Sequence, residues 1–203
     1  MATVLVVCAL ESELRYFRRR ADVELLICGV GPVEAAVATA RALSAARYGA
    51  VVNAGIAGAF PQRARVGEAL LVATEWLAGL GLEGGGAFTL PDGASLIERA
   101  DADEELLERC AGLPYRVGSG ITVASVTATS ATGERLAARY GADTESMEGF
   151  SVLRAAGQSG VPALEVRGIS NYVGDRARSA WDFAAGARAA AAALEAVLDR
   201  IIV

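Results

Sequence analysis

Apolar and polar residues alternate in blocks along this chain, and the blocks predict strands and helices in turn. Short continuous apolar runs are typical of strands buried on both faces of a sheet, whereas longer amphipathic segments are typical of helices. On this pattern we expect strands at residues 3–9, 23–28, 50–53, 69–76, 120–127 and 163–169. We expect helices at residues 11–20, 33–47, 101–110, 132–140, 147–158 and 178–201.

This alternation predicts the fold class. Because strands and helices follow one another throughout, we expect a mostly parallel sheet with helices packed on both faces. The 203 residues show no internal repeat and no linker rich in proline or serine, and a chain of this length can bury a substantial core. We therefore predict a single α/β domain over residues 1–203.

Glycine-rich segments interrupt the pattern. We interpret residues 54–58 as a turn after the third strand, where small residues either allow tight packing or let a ligand approach the backbone. No arginine lies in or next to this turn in the sequence, so a phosphate bound there would lack a strong partner. Gly29 and Gly31 precede a helix as in a dinucleotide-binding fingerprint, but Glu34 replaces its third glycine, which favours a simple tight turn. Residues 79–93 form a glycine-rich loop without periodicity.

Charge and residue types narrow the chemistry. The chain has 19 basic and 24 acidic residues and a net charge of −5. This acidic balance argues against a nucleic-acid partner, which would require a basic surface. It contains no histidine, which excludes Ser-His triads and histidine-ligated metal sites. Acid–base chemistry must therefore use carboxylates, tyrosine, amine groups or water. We expect neither a metal nor a cofactor.

Cysteine usage and hydropathy bear on the cellular compartment. Cys8 and Cys28 lie in apolar runs typical of reduced core residues, and the third cysteine, Cys110, is distant from both in sequence. Charged residues follow the first strand at once, unlike a signal sequence, and no uninterrupted apolar run reaches membrane-spanning length. We therefore expect a cytoplasmic protein without a membrane partner.

Polar side chains stand where a sheet of this kind presents a ligand, beyond the strand ends. Glu11 and Glu13 follow the first strand; either is a helix N-terminal acid or a carboxylate that holds and activates a water. Glu148 begins a helix shortly after Glu145, and Asn171 follows the last strand. A glutamate that accepts hydroxyl hydrogen bonds and an amide that both donates and accepts are suited to a nucleoside pocket.

These side chains stand in motifs that resemble a known superfamily. In chain order the motifs are Ala9-Leu10-Glu11-Ser12-Glu13, Asn53-Ala54-Gly55-Ile56-Ala57-Gly58, Ser146-Met147-Glu148 and Arg167-Gly168-Ile169-Ser170-Asn171. They are similar to those of the nucleoside phosphorylases and nucleosidases, and they span nearly the whole chain. Within that superfamily, the run from Arg167 to Trp181 most resembles the futalosine hydrolases, a family of the alternative menaquinone pathway.

The resemblance implies a fold and a set of residue roles. The fold would be a three-layer α/β/α domain with a mixed, mostly parallel, barrel-like central sheet, assembled as a homo-oligomer. Glu13 would activate water and Asn171 would contact the purine, while Glu148 would clamp the ribose against Met147. Three residues would line the bed behind the attacking water: Ile56, Ala57 and Gly58.

Two departures from the superfamily's patterns indicate the substrate and the nucleophile. Adenine-releasing nucleosidases carry aspartate where this chain has Asn171; an asparagine amide suits a 6-oxopurine, so hypoxanthine is the expected leaving base. The phosphorylases place arginine where Asn53 stands, and its absence, with Glu13 present, favours water over phosphate. The resemblance therefore implies hydrolysis of the N-glycosidic bond of futalosine, with a small-molecule nucleoside as the substrate.

Futalosine also carries a benzoate-bearing arm on the 5′ side of its sugar, and some group must recognise it. Arg176 lies in the loop before the last predicted helix, and Arg178 and Trp181 lie at the start of that helix. The resemblance implies that the arginines read the carboxylate and that the tryptophan packs on the ring. Each arginine is alternatively an ordinary solvated side chain.

Other functions of the same fold remain open at this point. They are a methylthioadenosine/S-adenosylhomocysteine or aminofutalosine nucleosidase, a purine nucleoside phosphorylase, and a non-catalytic nucleoside-binding protein. Asn171 argues against the first and Asn53 against the second. The presence of both Glu13 and Glu148 argues against the third, because binding alone does not need a carboxylate that activates water.

Overall fold

The computed structural model describes residues 3–82, 90–175 and 180–202. In these ranges the strands are β1 (Val4–Cys8), β2 (Val23–Ile27), β3 (Ala50–Ala59), β4 (Ala69–Leu77), β5 (Arg99–Asp101), β6 (Arg116–Thr122), β7 (Thr144–Ser146) and β8 (Ala163–Tyr172). The α-helices are α1 (Pro32–Ala45), α2 (Glu104–Arg109), α3 (Ser130–Tyr140), α4 (Gly149–Gln158) and α5 (Phe183–Ile201). Short 3₁₀ helices lie at Glu11–Leu14 and Pro91–Gly93.

Five strands close into a barrel. β3 pairs with β8, β8 with β4, β4 with β6, β6 with β7, and β7 again with β3. β1 and β2 continue the sheet from β3 in parallel, and β5 pairs with β4 in the antiparallel sense. Five of these pairings are parallel and three are antiparallel, which confirms the predicted mixed, mostly parallel, barrel-like sheet.

The core lies in two layers on either side of the sheet. Successive side chains of β1 point to opposite faces, as the strand period requires. Val4, Val6 and Cys8 pack in the cluster that contains α5, whereas Leu5 and Val7 pack in the cluster that contains α4 and part of α1. Burial of β1 on both faces explains its continuous apolar sequence and confirms the predicted helix layers on the two faces.

The structure corrects the expectation at two segments near the cavity described below. The helix predicted at 11–20 is a single 3₁₀ turn, Glu11–Leu14, whose start has no side-chain cap. The segment 54–58 is not a turn, because β3 continues through it to Ala59. Backbone pairing holds these small residues in the strand, because β8 pairs along the whole stretch and β7 pairs with Gly58.

Other differences concern element ends and short strands. β5 and β7 have three residues each, too few to show an alternating pattern, and they were not predicted. The last helix begins at Phe183 instead of residue 178, with the Asp182 side chain accepting the N–H of Ala185 as its cap. Of the predicted loop at 79–93, residues 83–89 lie outside the described residues.

Two further expectations can be compared with the structure. Cys8, Cys28 and Cys110 are free and buried, which confirms the reduced core role expected for the first two. Across the part of the chain that the structure describes, no helix has both the length and the apolar character needed to cross a membrane.

Candidate active site

A cavity of about 260 Å³ lies beyond the carboxyl ends of β1 and β2 and beside β3 and β8. The predicted site residues that line it are Glu13, Ile56, Ala57, Gly58, Met147, Glu148, Asn171 and Trp181. Most of the remaining lining is apolar: Ala9, Leu10, Val30, Val123, Val126 and Phe183. An apolar cavity with a few convergent polar groups is the usual form of a small-molecule site.

Glu13 reaches the cavity because the 3₁₀ turn follows β1 directly. Its side chain is buried and is hydrogen-bonded to the backbone of Ile56, and Sγ of Cys8 lies 3.6 Å from its Oε2. Burial raises the pKa of Glu13 to about 7; the charge of Arg167 opposes this rise and that of Glu148 adds to it. A carboxyl group with a pKa near neutrality is suited to take a proton from water at neutral pH.

Glu148 is the residue that precedes the first turn of α4. Its side chain makes no cap hydrogen bond to its own helix, and Oε1 accepts the backbone N–H of Gly31 at 2.9 Å. The turn that resembled a dinucleotide loop therefore holds a carboxylate of the protein itself. Because an ionised carboxylate has about four acceptor positions, Glu148 retains acceptors for the hydroxyl groups of a ligand.

An arginine to which the sequence analysis gave no role lies between these glutamates. Arg167 is fully buried in β8, where it pairs with Gly55 of β3. Its Nε donates to Oε1 of Glu165 at 2.7 Å, and its Nη1 lies 3.8 Å from Oε2 of Glu148. No arginine is adjacent to residues 54–58 along the chain, but β8 places Arg167 beside Gly55 in the fold. Its charge is met by carboxylates of the protein.

A bulge in the pairing of β3 with β8 directs Asn171 over the cavity. The register shifts between Ala57 and Gly58, so that Ser170 is the extra residue and Asn171 pairs with Gly58. The Ser170 hydroxyl donates to Oδ1 of Asn171 at 2.8 Å, and Nδ2 donates to the carbonyl of Tyr172 at 3.1 Å. An amide nitrogen carries two N–H groups, so Asn171 can donate to a ligand as well.

Glu145 lies on the opposite side of the same glycine. It belongs to β7 and pairs with Gly58, so Glu145 and Asn171 flank Gly58 from the two neighbouring strands. Its Oε1 accepts the N–H of Thr127 at 3.0 Å, and its Oε2 accepts the hydroxyl of the same residue. Burial raises the pKa of Glu145. The sequence showed an acid near Glu148 but not this pairing, which depends on strands distant in the chain.

The other predicted residues divide into three groups. Met147 packs against the cluster that contains Val123 and lines the cavity, and Trp181 lines it where the chain enters α5. Arg176 and Arg178 lie outside the described residues. Asn53 is buried within β3 and is absent from the described residues that line the cavity.

The same described ranges contain no group of three or more side chains that could hold a metal ion.

Comparison with known proteins decides the family. A profile of the Phosphorylase superfamily matches residues 7–203. The chain belongs to the phosphorylase superfamily.

Within the phosphorylase superfamily, the chain is similar to futalosine hydrolases. Over an aligned stretch of 167 residues, it is 39% identical to the futalosine hydrolase of Streptomyces coelicolor. This stretch covers 78% of this chain and 71% of the Streptomyces protein. Over 173 aligned residues, it is 36% identical to the futalosine hydrolase of Acidothermus cellulolyticus. The alignment covers 81% of this chain and 70% of the Acidothermus protein. These relatives confirm the resemblance expected from the motifs.

Two solved structures show the same fold. The Helicobacter pylori futalosine hydrolase superposes with a TM-score of 0.82 at 17% identity, over 98% of this chain and 97% of that one. The H. pylori 5′-methylthioadenosine/S-adenosylhomocysteine nucleosidase superposes with a TM-score of 0.83 at 16% identity, over 98% of both chains. At these identities the likeness concerns the fold, which is the one that the resemblance implied.

Proposed function

We propose that this protein hydrolyses the N-glycosidic bond of futalosine and releases hypoxanthine, as a step of the alternative menaquinone pathway. The observation that carries the proposal is the convergence of Glu13, Glu148 and Asn171 on one cavity, in a chain 35–39% identical to three futalosine hydrolases. The bond between C1′ and the purine nitrogen breaks, and its electron pair leaves with the base. Water supplies the hydroxyl group on C1′ and the proton that the base takes up.

The ribose is the part of the substrate on which positive charge develops. The glycosidic bond breaks ahead of nucleophile arrival and leaves an oxocarbenium-like sugar. Glu148 accepts hydrogen bonds from ribose hydroxyl groups and places negative charge beside the cation, an interaction that strengthens in the transition state. The Gly31 N–H fixes the position of this carboxylate, and Met147 packs against the sugar.

Glu13 activates the water that attacks C1′. Its pKa of about 7 leaves a substantial ionised fraction at neutral pH, and the ionised form accepts the proton of the water. The water lies against the β3 stretch of Ile56, Ala57 and Gly58, whose small side chains leave room for it. Such general-base catalysis is worth roughly 10²–10⁴ in rate.

Asn171 receives the departing purine. In a 6-oxopurine both N7 and O6 are acceptors, and the Nδ2 group of Asn171 donates to this edge. The hydrogen bond from Ser170 to Oδ1 supports that orientation of the amide. An aspartate would instead accept from a 6-amino group, which is why we assign hypoxanthine and not adenine as the leaving base.

The charges around the cavity favour water over phosphate as the nucleophile. Glu13, Glu145 and Glu148 all line the cavity. Arg167 approaches it from β8, but its guanidinium is paired with Glu165 and faces Glu148. Among the described residues of the cavity, a phosphate dianion would meet carboxylates without an unpaired cation to offset their repulsion.

The aromatic residues at the entry to α5 are our candidates for the 5′ arm of the substrate. Trp181 is about half exposed and lines the cavity together with Phe183, so a benzoate ring can pack on the indole. Arg176 and Arg178 precede it in sequence and remain the predicted partners of the carboxylate.

We also propose that the protein is a cytoplasmic homo-oligomer. Exposed apolar side chains lie on α1 and at or just after the ends of β1 and β2, and two of them, Leu10 and Val30, also line the cavity. A second copy would cover these side chains, which are Leu10, Ile27, Val30, Val33 and Val37. Three free, buried thiols support a reducing compartment. Size-exclusion chromatography with light scattering tests the assembly; a monomer at micromolar concentration contradicts it.

The deciding experiment measures base release from futalosine, aminofutalosine, methylthioadenosine and inosine, each with and without phosphate. We expect hypoxanthine from futalosine at a rate that phosphate does not change. Comparable release of adenine from methylthioadenosine would favour the methylthioadenosine nucleosidase function instead. A strict phosphate requirement would favour a phosphorylase, and no release from any substrate would favour a binding protein.

A further inference from the structure

Two carboxyl groups lie behind the cavity and have no part in the chemistry described above. Glu75 of β4 and Glu165 of β8 are both fully buried, and neither is among the described residues that line the cavity. Burying two carboxylates is unfavourable unless partners compensate for the lost hydration. Their partners therefore indicate what the pair does.

The first partner is the arginine beside the cavity. Oε1 of Glu165 accepts a hydrogen bond from Nε of Arg167 at 2.7 Å, and both side chains are fully buried. The two residues are two positions apart on β8, which places their side chains on the same face of the strand. The other end of the guanidinium, Nη1, faces Glu148 at 3.8 Å.

The second partner, Thr122, connects the pair to the helix that follows Glu148. The hydroxyl of Thr122 donates to Oε2 of Glu75 at 2.7 Å and accepts the backbone N–H of Phe150 at 2.8 Å. Phe150 is the second residue of α4, and Glu148 directly precedes that helix. The buried pair is thus connected to Glu148 along two routes, through Arg167 and through the first turn of α4.

The two carboxyl groups meet at Gly149. A Cβ atom there would lie 2.6 Å from both carboxylate oxygens of Glu165 and 2.6 Å from the carboxyl carbon of Glu75. Glu75 and Glu165 each influence the pKa of the other, and within the described residues Oε1 of Glu75 and Oε2 of Glu165 have no hydrogen-bond partner. A hydrogen bond between the two carboxyl groups would give these buried oxygens the partner that they lack. A hydrogen bond between two carboxyl groups needs a proton on one of them.

Glu75 is the better holder of that proton. Glu165 accepts a hydrogen bond from a guanidinium, which favours its ionised form, whereas the hydrogen-bond donor that the described residues provide for Glu75 is the neutral hydroxyl of Thr122. Burial, followed by the charge of Glu165, raises the pKa of Glu75 well above its ordinary value.

We propose that Glu165, bridged to a protonated Glu75, is a positioning residue that holds Arg167 between Glu13 and Glu148. The proposal rests on the hydrolase function proposed above. It adds a pair of buried carboxyl groups that sets the charge balance of the cavity. Because Glu165 neutralises much of the charge of Arg167, less of that charge stabilises ionised Glu13. Glu13 therefore remains basic enough to accept a proton from water.

The groups that face Glu13 determine whether this balance is measurable. They are the thiol of Cys8 on β1, the backbone of Ile56 on β3, Arg167 on β8 and the carboxylate of Glu148 at the start of α4. Arg167 is the one cation among these described groups. When the charge of Arg167 is less neutralised, the pKa of Glu13 is therefore expected to fall.

The test compares two isosteric variants, Glu75→Gln and Glu165→Gln, in steady-state hydrolysis of futalosine between pH 5 and pH 9. Glu75→Gln reproduces a protonated acid, since the new amide donates to Glu165 and accepts from Thr122, so we expect kcat and the pH profile to stay close to wild type. Glu165→Gln removes the charge beside Arg167. We expect kcat to fall by up to about 100-fold at a nearly unchanged KM, and the acid limb of kcat/KM to move to lower pH.

Two outcomes would overturn the proposal in an active enzyme. One is a wild-type kcat and pH profile for Glu165→Gln. The other is an equal loss in both variants, which would show that the charge of Glu75 matters as much as that of Glu165. A merely structural role would lower thermal stability without moving the acid limb.

Infrared spectroscopy keeps the test independent of activity and of how well Glu165→Gln folds. The difference spectrum between wild type and Glu75→Gln at pH 8 should contain the C=O stretch of a protonated carboxylic acid. A band of ionised carboxylate instead would refute the shared proton. If wild type releases no base from any nucleoside, the proposed function fails, whereas this spectrum still decides the state of the pair.

Discussion

A Cβ atom on Gly55 would overlap Oε2 of Glu13. The same atom would lie 3.0 Å from Nη1 of Arg167 on the neighbouring strand. Gly55 therefore provides the space in which the proposed base and the buried arginine approach each other. We predict that Gly55→Ala displaces the Glu13 carboxylate and lowers kcat by about 100-fold, the cost of moving a reacting group by about 1 Å. Overpacking should also cost about 1–3 kcal/mol of unfolding free energy.

A matched control for this substitution lies in α4. A Cβ atom on Gly157 has no neighbour within 4 Å, and the residue is inside a helix, where alanine is more favourable than glycine by about 1 kcal/mol. Gly157→Ala should therefore leave kcat unchanged and raise the melting temperature slightly. Base-release kinetics and thermal unfolding measure both variants, and a wild-type kcat for Gly55→Ala would contradict the assigned role of this space.

The second prediction concerns Glu13 itself. Glu13→Gln keeps the shape of the side chain but cannot accept a proton from water, so we expect kcat to fall by roughly 10²–10⁴. Circular dichroism should remain that of the wild type. Glu11, which is exposed on the same 3₁₀ turn, provides the control, and Glu11→Gln should leave kcat unchanged. Full activity of Glu13→Gln would remove this residue from the mechanism.

The raised pKa of Glu13 also predicts a dependence of stability on pH. Its pKa is about 7 in the folded protein against an ordinary value of 4.5, so between these values the folded state binds more protons than the unfolded state. The stability that this group contributes is then complete below about pH 4.5 and is lost as the pH rises through about 7. Activity has the opposite trend, because the ionised form is the base.

Glu13→Gln should therefore become more stable relative to wild type as the pH rises. A shift of this size corresponds to a difference on the order of 3 kcal/mol between low and high pH. Urea unfolding of both proteins at pH 5 and pH 8 measures it. A constant difference at the two pH values would show that Glu13 does not titrate with a raised pKa.

Local signals explain why part of the fold and the candidate site could be predicted. The doubly buried β1 is visible as an apolar run, and Glu13, Glu148 and Asn171 follow strands or precede a helix that the pattern also shows. These features depend on residues adjacent in the chain. The family motifs then indicated which of the polar residues belong together.

The rest of the site depends on strands that are distant in sequence. Glu145 flanks Gly58 only because β7 pairs with β3, and β7 is too short to show a pattern. Glu165 and Arg167 were visible as two charges in an apolar strand, two positions apart and hence on one face. Their partner Glu75, however, lies on β4, and only the closed barrel brings it to them.

The buried cysteines allow a prediction about thiol reactivity. Burial is the main cause that raises the pKa of Cys8 and of Cys110, and it raises that of Cys28 to about 11. Little thiolate is therefore present at neutral pH, and access is blocked. Ellman's reagent should find no rapidly reacting thiol in the folded protein and three after unfolding. Ser44→Cys, which places a thiol at an exposed position of α1, is the positive control.

The last prediction concerns the choice of base by Asn171. Asn171→Asp replaces a donor toward N7 and O6 by a carboxylate that accepts from a 6-amino group. Because a mismatched buried polar pair costs about 1–3 kcal/mol, the ratio of kcat/KM for aminofutalosine to that for futalosine should rise at least about tenfold. Asn171→Ala is the control, since it removes the contact to both bases and should lower both rates while changing their ratio much less. An unchanged ratio in Asn171→Asp would mean that another group selects the base, and Glu145, on the other side of Gly58, would be the next residue to substitute.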